Sequence, residues 1–105
     1  MSEFDVNGSW DIHQGNGYSV TFEIDQVEHG RKLFGSASQS DGTEGAGKGQ
    51  VSGTRFNFRV KWSNGTIGVY NGNFGLDNTL TGITFDEANP GSVASWHSDK
   101  VFQSA

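Results

Sequence analysis

A chain of 105 residues, 32% of them hydrophobic, suffices for one domain and one core, so residues 1–105 are read as a single domain. A net charge of −5 with no basic cluster argues against a nucleic-acid partner, and the lack of cysteine excludes disulfides and thiolate metal sites. Sixteen glycines against one proline exclude collagen-like and proline-rich chains, while eight Phe, three Trp and two Tyr supply a core made of rings.

The opening MSEFDVNGSW has no basic n-region and no apolar h-region, and no stretch reaches the length of a membrane span. The expectation is a protein of the cytoplasm, or one released without a classical signal, with no membrane partner. GSWDIHQ (8–14) begins the pattern and stops at Gly15-Asn16-Gly17. YSVTFEID (18–25) puts Tyr18, Val20, Phe22 and Ile24 on one face and Ser19, Thr21, Glu23 and Asp25 on the other. Such alternation is a strand with one buried face. KLFGSASQ (32–39) ends at Ser40-Asp41-Gly42, and the glycine-rich SDGTEGAGKG (40–49) reads as a mobile loop before a short strand, KGQVSGT. RFNFRVKW (55–62) sets Phe56, Phe58, Val60 and Trp62 against Asn57, Arg59 and Lys61. TIGVYNGNFG (66–75), TLTGITFD (79–86) and SVASWHSDKVF (92–102) follow, with turns at Ser63-Asn64-Gly65, Leu76-Asp77-Asn78 and Asn89-Pro90-Gly91. Asn7-Gly8-Ser9 and Asn64-Gly65-Thr66 match a glycan acceptor, but their Asn-Gly pairs read as turn chemistry.

Eight short strands joined mostly by short turns predict an all-β, eight-stranded antiparallel up-and-down β-barrel. Closure removes the two edges that an open meander would expose. Glycines inside strands (Gly35, Gly53, Gly68, Gly72, Gly82) weaken a flat sheet but let strands bend and give rings room, which favours a barrel over a sandwich.

Several strings resemble the avidin and streptavidin family of calycin barrels, between residue 8 and about residue 102. Gly8-Ser9-Trp10 matches the Gly-x-Trp that opens the first strand of that group, and FRVKWSN resembles its Trp-x-Val-x-Trp segment with a polar turn. YNGN (70–73) and ASWHS (94–98) resemble Trp-Ser-Gly-Gln and Ala-Trp-Lys-Ser. The resemblance implies a pocket walled by Trp62, Tyr70 and Trp96, with its fourth wall open or filled by Phe85. It also implies that Trp96 reaches a neighbouring subunit, hence a homo-oligomer (dimer or tetramer); packing within its own barrel is the other reading. The family's hydrogen-bonding positions fall on Ile12, Ala37 and Lys100, so strong biotin binding is not expected.

Read for chemistry, Trp62, Tyr70 and Trp96 either line a small-molecule pocket or fill a small barrel. Asn71 and Asn73 could contact sugar hydroxyls or serve neighbouring backbone. Asp86 reads as the cap of the turn before Pro90, and also as an orienting group for a ligand. His13, His29 and His97 follow no metal-ligand spacing. His97 and Asp99 share a strand face, but no G-x-S-x-G elbow accompanies them, which argues against a serine hydrolase. GAGKGQ lacks Walker spacing. The expectation is therefore non-catalytic binding of a carbohydrate (lectin-like) or a small apolar ligand at an aromatic-lined pocket or rim, through Trp62, Tyr70, Asn71, Asn73, Asp86, Trp96 and His97, with no cofactor and no metal. The alternatives are a barrel-shaped cyclase or isomerase for a polyketide- or terpene-like chain, and a solid structural oligomer. What fills the interior discriminates among them.

Overall fold

A computed structural model describes residues 4–27 and 30–104. The described strands are β1 (Phe4–Asp5), β2 (Gly8–Gln14), β3 (Ser19–Val27), β4 (Lys32–Gln39), β5 (Glu44–Ser52), β6 (Arg55–Trp62), β7 (Ile67–Phe74), β8 (Leu80–Asp86), β9 (Asn89–Ser98) and β10 (Gln103–Ser104). Strands β2 to β9 pair in sequence, antiparallel throughout, and β9 returns to β2 to close the barrel. The expected architecture is therefore the observed one. No helix among the described residues is long and apolar enough to cross a membrane.

Alternation drives the closure. Trp10 and Ile12, Val20, Phe22 and Ile24, and Phe56, Phe58, Val60 and Trp62 all turn inward and are buried. Their rings meet mostly edge to face: Phe22 lies 5.2 Å from Trp10, 5.3 Å from Phe58 and 5.3 Å from Tyr70. Burying rings of this size supplies most of the apolar transfer energy, roughly 25 cal/mol per Å².

Four expectations are corrected. Gly53 lies not inside a strand but in the turn between β5 and β6, at φ +60°. The run 40–49 is a loop only over 40–43: Glu44 to Ser52 form β5 in register with both neighbours. Its inward positions are Gly45, Gly47 and Gly49, so the alternation is present with glycine as its inward member. A side chain at Gly47 would meet the Phe58 ring at 2.7 Å, and one at Gly45 would meet Val60 at 2.8 Å. The bare face of β5 is the space that the β6 rings occupy. Asn89-Pro90-Gly91 is likewise not the last turn. Glu87-Ala88 makes it, and Asn89 already pairs with Asp86 in β9. The last strand ends at Ser98 instead of running to 102.

The remainder of that segment closes one end of the barrel. β1 pairs with β10, Phe4 stacks on Phe74 at 4.0 Å, and Val6 and Phe102 are buried beneath the pair. The Trp10 indole N–H donates to the Val6 carbonyl at 2.9 Å. Gln26 staples this lid from the side: its amide donates to the Phe4 and Gly30 carbonyls and accepts from the Val6 N–H, each at 2.8 Å.

Candidate functional site

The inward side chains change character along the barrel axis. On β2 they run Trp10, Ile12, Gln14; on β4 they run Leu33, Gly35, Ala37, Gln39; on β8 they run Leu80, Gly82, Thr84. Each row is apolar at the lidded end and polar where it reaches the turns at 14–19, 39–44, 62–67 and 86–89. Those turns rim a cup of about 380 Å³. Its floor is Trp62, Gly68, Tyr70 and Thr84, and its wall includes Gln14, Gln39, Asp41 and Asp86.

The floor is dense and satisfied. Trp62 and Tyr70 are 5% and 3% exposed, and Tyr70 Oη donates to Gln14 Oε1 at 3.1 Å. Among the described residues, every buried side-chain polar atom has a partner. Burial pushes the Tyr70 phenol up to about 12, partly offset by hydrogen bonding with Thr84. Because the folded value lies above the unfolded one of ~10, this group's contribution is complete below pH ~10. It is lost as pH rises through about 12, a loss on the order of 2 kcal/mol. Tyr70→Phe is expected to flatten that alkaline limb in urea denaturation at stepped pH, and an unchanged limb would contradict the assignment.

The cup is acidic. Asp41 accepts the Thr43 N–H at 2.9 Å, and this bond together with the Thr43 hydroxyl holds its carboxyl below the usual carboxylate range. Asp86 accepts the Ala88 N–H at 2.9 Å, which caps the β8–β9 turn. No lysine or arginine lines the cup.

The residues singled out from sequence separate into three places. Trp62, Tyr70 and Asp86 meet at the cup. Trp96 lies below its floor, 2% exposed, with its indole N–H donating to the Ile83 carbonyl at 2.9 Å and its rings 6.0 Å from Phe56 and 6.3 Å from Tyr70. It packs its own barrel. Asn71, Asn73 and His97 occupy the opposite strand faces and look outward, away from the aromatic pocket expected for them. Phe85 also faces out, in a cross-strand row with Val69 and Val93; parity gives the inward position to Thr84.

His97 sits on the seam between β2 and β9, directly across from His13, with ring centroids 5.5 Å apart. Asp99 serves both rings, at 2.9 Å from His13 Nε2 and 3.6 Å from His97 Nε2. The Ser19 hydroxyl lies 3.1 Å from His13 Nδ1. Serine, imidazole and carboxylate thus stand in line on an open, solvent-facing part of the sheet. No group of three metal-ligating side chains forms among the described residues. His29 lies outside the described residues.

A solved barrel superposes on this one. It is described as the structure of EF1p2_mFAP2b bound to DFHBI; the TM-score is 0.58 over 95% of this chain and 94% of that chain, at 10% sequence identity. Identity that low carries the fold alone. No protein-family model and no curated protein matches the chain.

Sequence reasoning missed Gln14, Gln39 and Thr84. Their signal was available: each is a polar residue on the apolar parity of its strand, next to a turn at the same barrel end.

Proposed function

We propose that this barrel domain, residues 1–105, is a non-catalytic binding protein whose cup takes a small, neutral or cationic, hydroxyl-rich ligand such as a sugar. The open end carries the reading: inward polar groups converge there above an aromatic floor, while the other end is lidded. Gln39 offers a paired donor and acceptor suited to hydroxyls, while Gln14, which bonds Tyr70 and Asn16, keeps one N–H and one lone pair, and the rings offer apolar contact. A purely apolar ligand would strip water from those groups without replacing it, at about 1–3 kcal/mol each. Asp41 and Asp86, with no cation beside them, disfavour an anion.

The avidin-like resemblance is proposed on the same ground, since Trp62 and Tyr70 form the floor. Biotin is not the proposed ligand: two positions that would have to be polar are Ile12 and Ala37, both buried and apolar. The similar barrel's complex with DFHBI supports small-ligand binding by a barrel of this shape. The cyclase alternative needs a buried acid, and the buried polar side chains among the described residues are Thr84 and Ser98.

Homo-oligomerisation is proposed through the outer face of β7 to β9. Val69, Phe85 and Val93 form one cross-strand row there. Val93 is 54% exposed, and exposed apolar surface of this kind marks interaction sites.

NMR titration of the full chain with hexoses, polyols and DFHBI tests the cup. A binder is expected to move the amides at 14, 39, 68 and 84, and Gln14→Ala should weaken it about tenfold, as for one lost hydrogen bond. Biotin should move none of them. If no probe shifts these amides at millimolar concentration, the reading falls.

A further inference from the structure

The outer wall holds a second concavity, a trough of about 790 Å³ across β5 to β8. Its position follows from strand register. One wall is the cross-strand row Gln50, Asn57, Asn71 and Ile83; the other carries Arg55 and Asn73. Between them the floor is the backbone of the cross-strand row Phe56, Gly72 and Gly82, whose positions face the barrel interior. Four strands at ~4.8 Å spacing give the trough a length of ~14 Å.

We infer that this trough is a binding site for a short acidic oligosaccharide, separate from the cup and not dependent on it. Charge is the first argument. In a chain of net charge −5, the lysines and arginines carried by strands (32, 48, 55, 59 and 61) all belong to β4, β5 and β6. Arg59 is committed to Glu87, through bonds of 2.5 and 2.7 Å. Arg55 forms no ion pair among the described residues and opens onto the trough. Its planar fork matches a carboxylate through two parallel hydrogen bonds.

Amide density is the second argument. Asn57 Nδ2 donates to Asn71 Oδ1 at 2.6 Å, which fixes both side chains and leaves the Asn57 carbonyl and the Asn71 N–H groups for a ligand. Gln50 and Asn73 make no side-chain hydrogen bond among the described residues. A row of fixed and free amides, each able to donate and accept, suits a chain of vicinal hydroxyls. No aromatic face is presented for base stacking, which argues against single-stranded nucleic acid. A peptide that binds by adding a strand would need an open sheet edge, and a closed barrel provides none.

The test is an NMR titration of the full chain with trigalacturonic acid, its methyl ester and a triglutamate peptide. The acid trisaccharide should shift amides at 55–57, 71–73 and 82–83 while leaving 14 and 39 still. Arg55→Ala and Asn71→Ala, both replacing side chains at the surface, should each weaken it at least about tenfold, as should esterification. Gln14→Ala should bind it as the parent does, which separates this site from the cup. The inference is overturned if the acid trisaccharide does not bind at millimolar concentration, if Arg55→Ala or the ester binds as tightly, or if triglutamate binds equally well.

Discussion

Replacing Trp96 with alanine is expected to lower the unfolding free energy by about 3–5 kcal/mol, the usual cost of emptying a large aromatic site in a core. Three contacts underlie the size of the effect. The indole is 2% exposed, its N–H is bonded to the Ile83 carbonyl across the β8–β9 pair, and its six-membered ring fills the space over Gly72, where a side chain would come within 2.7 Å. Its strand is also the one that closes the barrel, and β9 meets β2 through only three residue pairs, one of them Gln14 with Trp96. Trp96→Phe keeps part of the volume and loses the N–H, so it should cost less than alanine. Urea denaturation measures both. The same variants bear on the avidin-like reading. A tryptophan that entered a neighbouring subunit would, on removal, change the sedimentation mass, whereas one packed in its own barrel changes stability alone. Sedimentation of Trp96→Phe should therefore match the parent, while Val93→Lys on the apolar outer face should shift an oligomer toward monomer. Full stability in Trp96→Ala would remove the ring from the core.

The fold is legible in the sequence wherever one parity is apolar and the other polar. YSVTFEID and RFNFRVKW declare their faces, and both are barrel strands. β5 is hidden because its inward members are glycines, which turn propensity counts as loop, yet the barrel needs that face empty for Phe58 and Trp62. The final turn is obscured for a related reason. Pro90 lacks an N–H and suits a turn, but Glu87-Ala88 already reverses the chain with Asp86 capping it, and Pro90 falls in a strand whose start the ladder tolerates. β1 and β10 are two residues each and depend on partners nearly a hundred residues apart, so no local pattern announces them.

The site is legible in part. Aromatic identity singles out Trp62 and Tyr70, but identity does not tell inward from outward. Strand parity does, and it turns Asn71, Asn73 and His97 to the outer surface while turning Gln14, Gln39 and Thr84 inward. Polar residues on an apolar parity, gathered at one barrel end, are a stronger cue than amides near rings. The trough cannot be read at all without register, since its walls join residues from four strands.

Gly82→Val should be the most damaging single change on the β8 strand, costing more than about 3 kcal/mol, with loss of a cooperative transition as the extreme. Gly82 pairs with Gly72, and a Cβ at position 82 would fall on the Asn71 carbonyl oxygen, a backbone atom with no side-chain freedom to yield. Gly35 against the Glu23 carbonyl and Gly49 against the Asn57 carbonyl repeat the arrangement on β3–β4 and β5–β6. Three such approaches around the wall mark where flat sheet is bent into a barrel, as glycine kinks do. Gly91 is the control, since it is exposed and a methyl group there would meet nothing within 4 Å; Gly91→Ala should stay within about 0.5 kcal/mol of the parent. The consequence extends to both candidate sites. Thr84, two residues along β8, belongs to the cup floor, and the backbone at Gly72 and Gly82 belongs to the trough floor. Gly82→Ala, the milder variant, should therefore weaken ligands at both places, whereas Gln14→Ala and Arg55→Ala each affect one. Denaturant titration of Gly82→Val and Gly82→Ala beside Gly91→Ala decides the matter: if the three unfold at the same midpoint, close approach at β7–β8 does not hold the barrel's curvature.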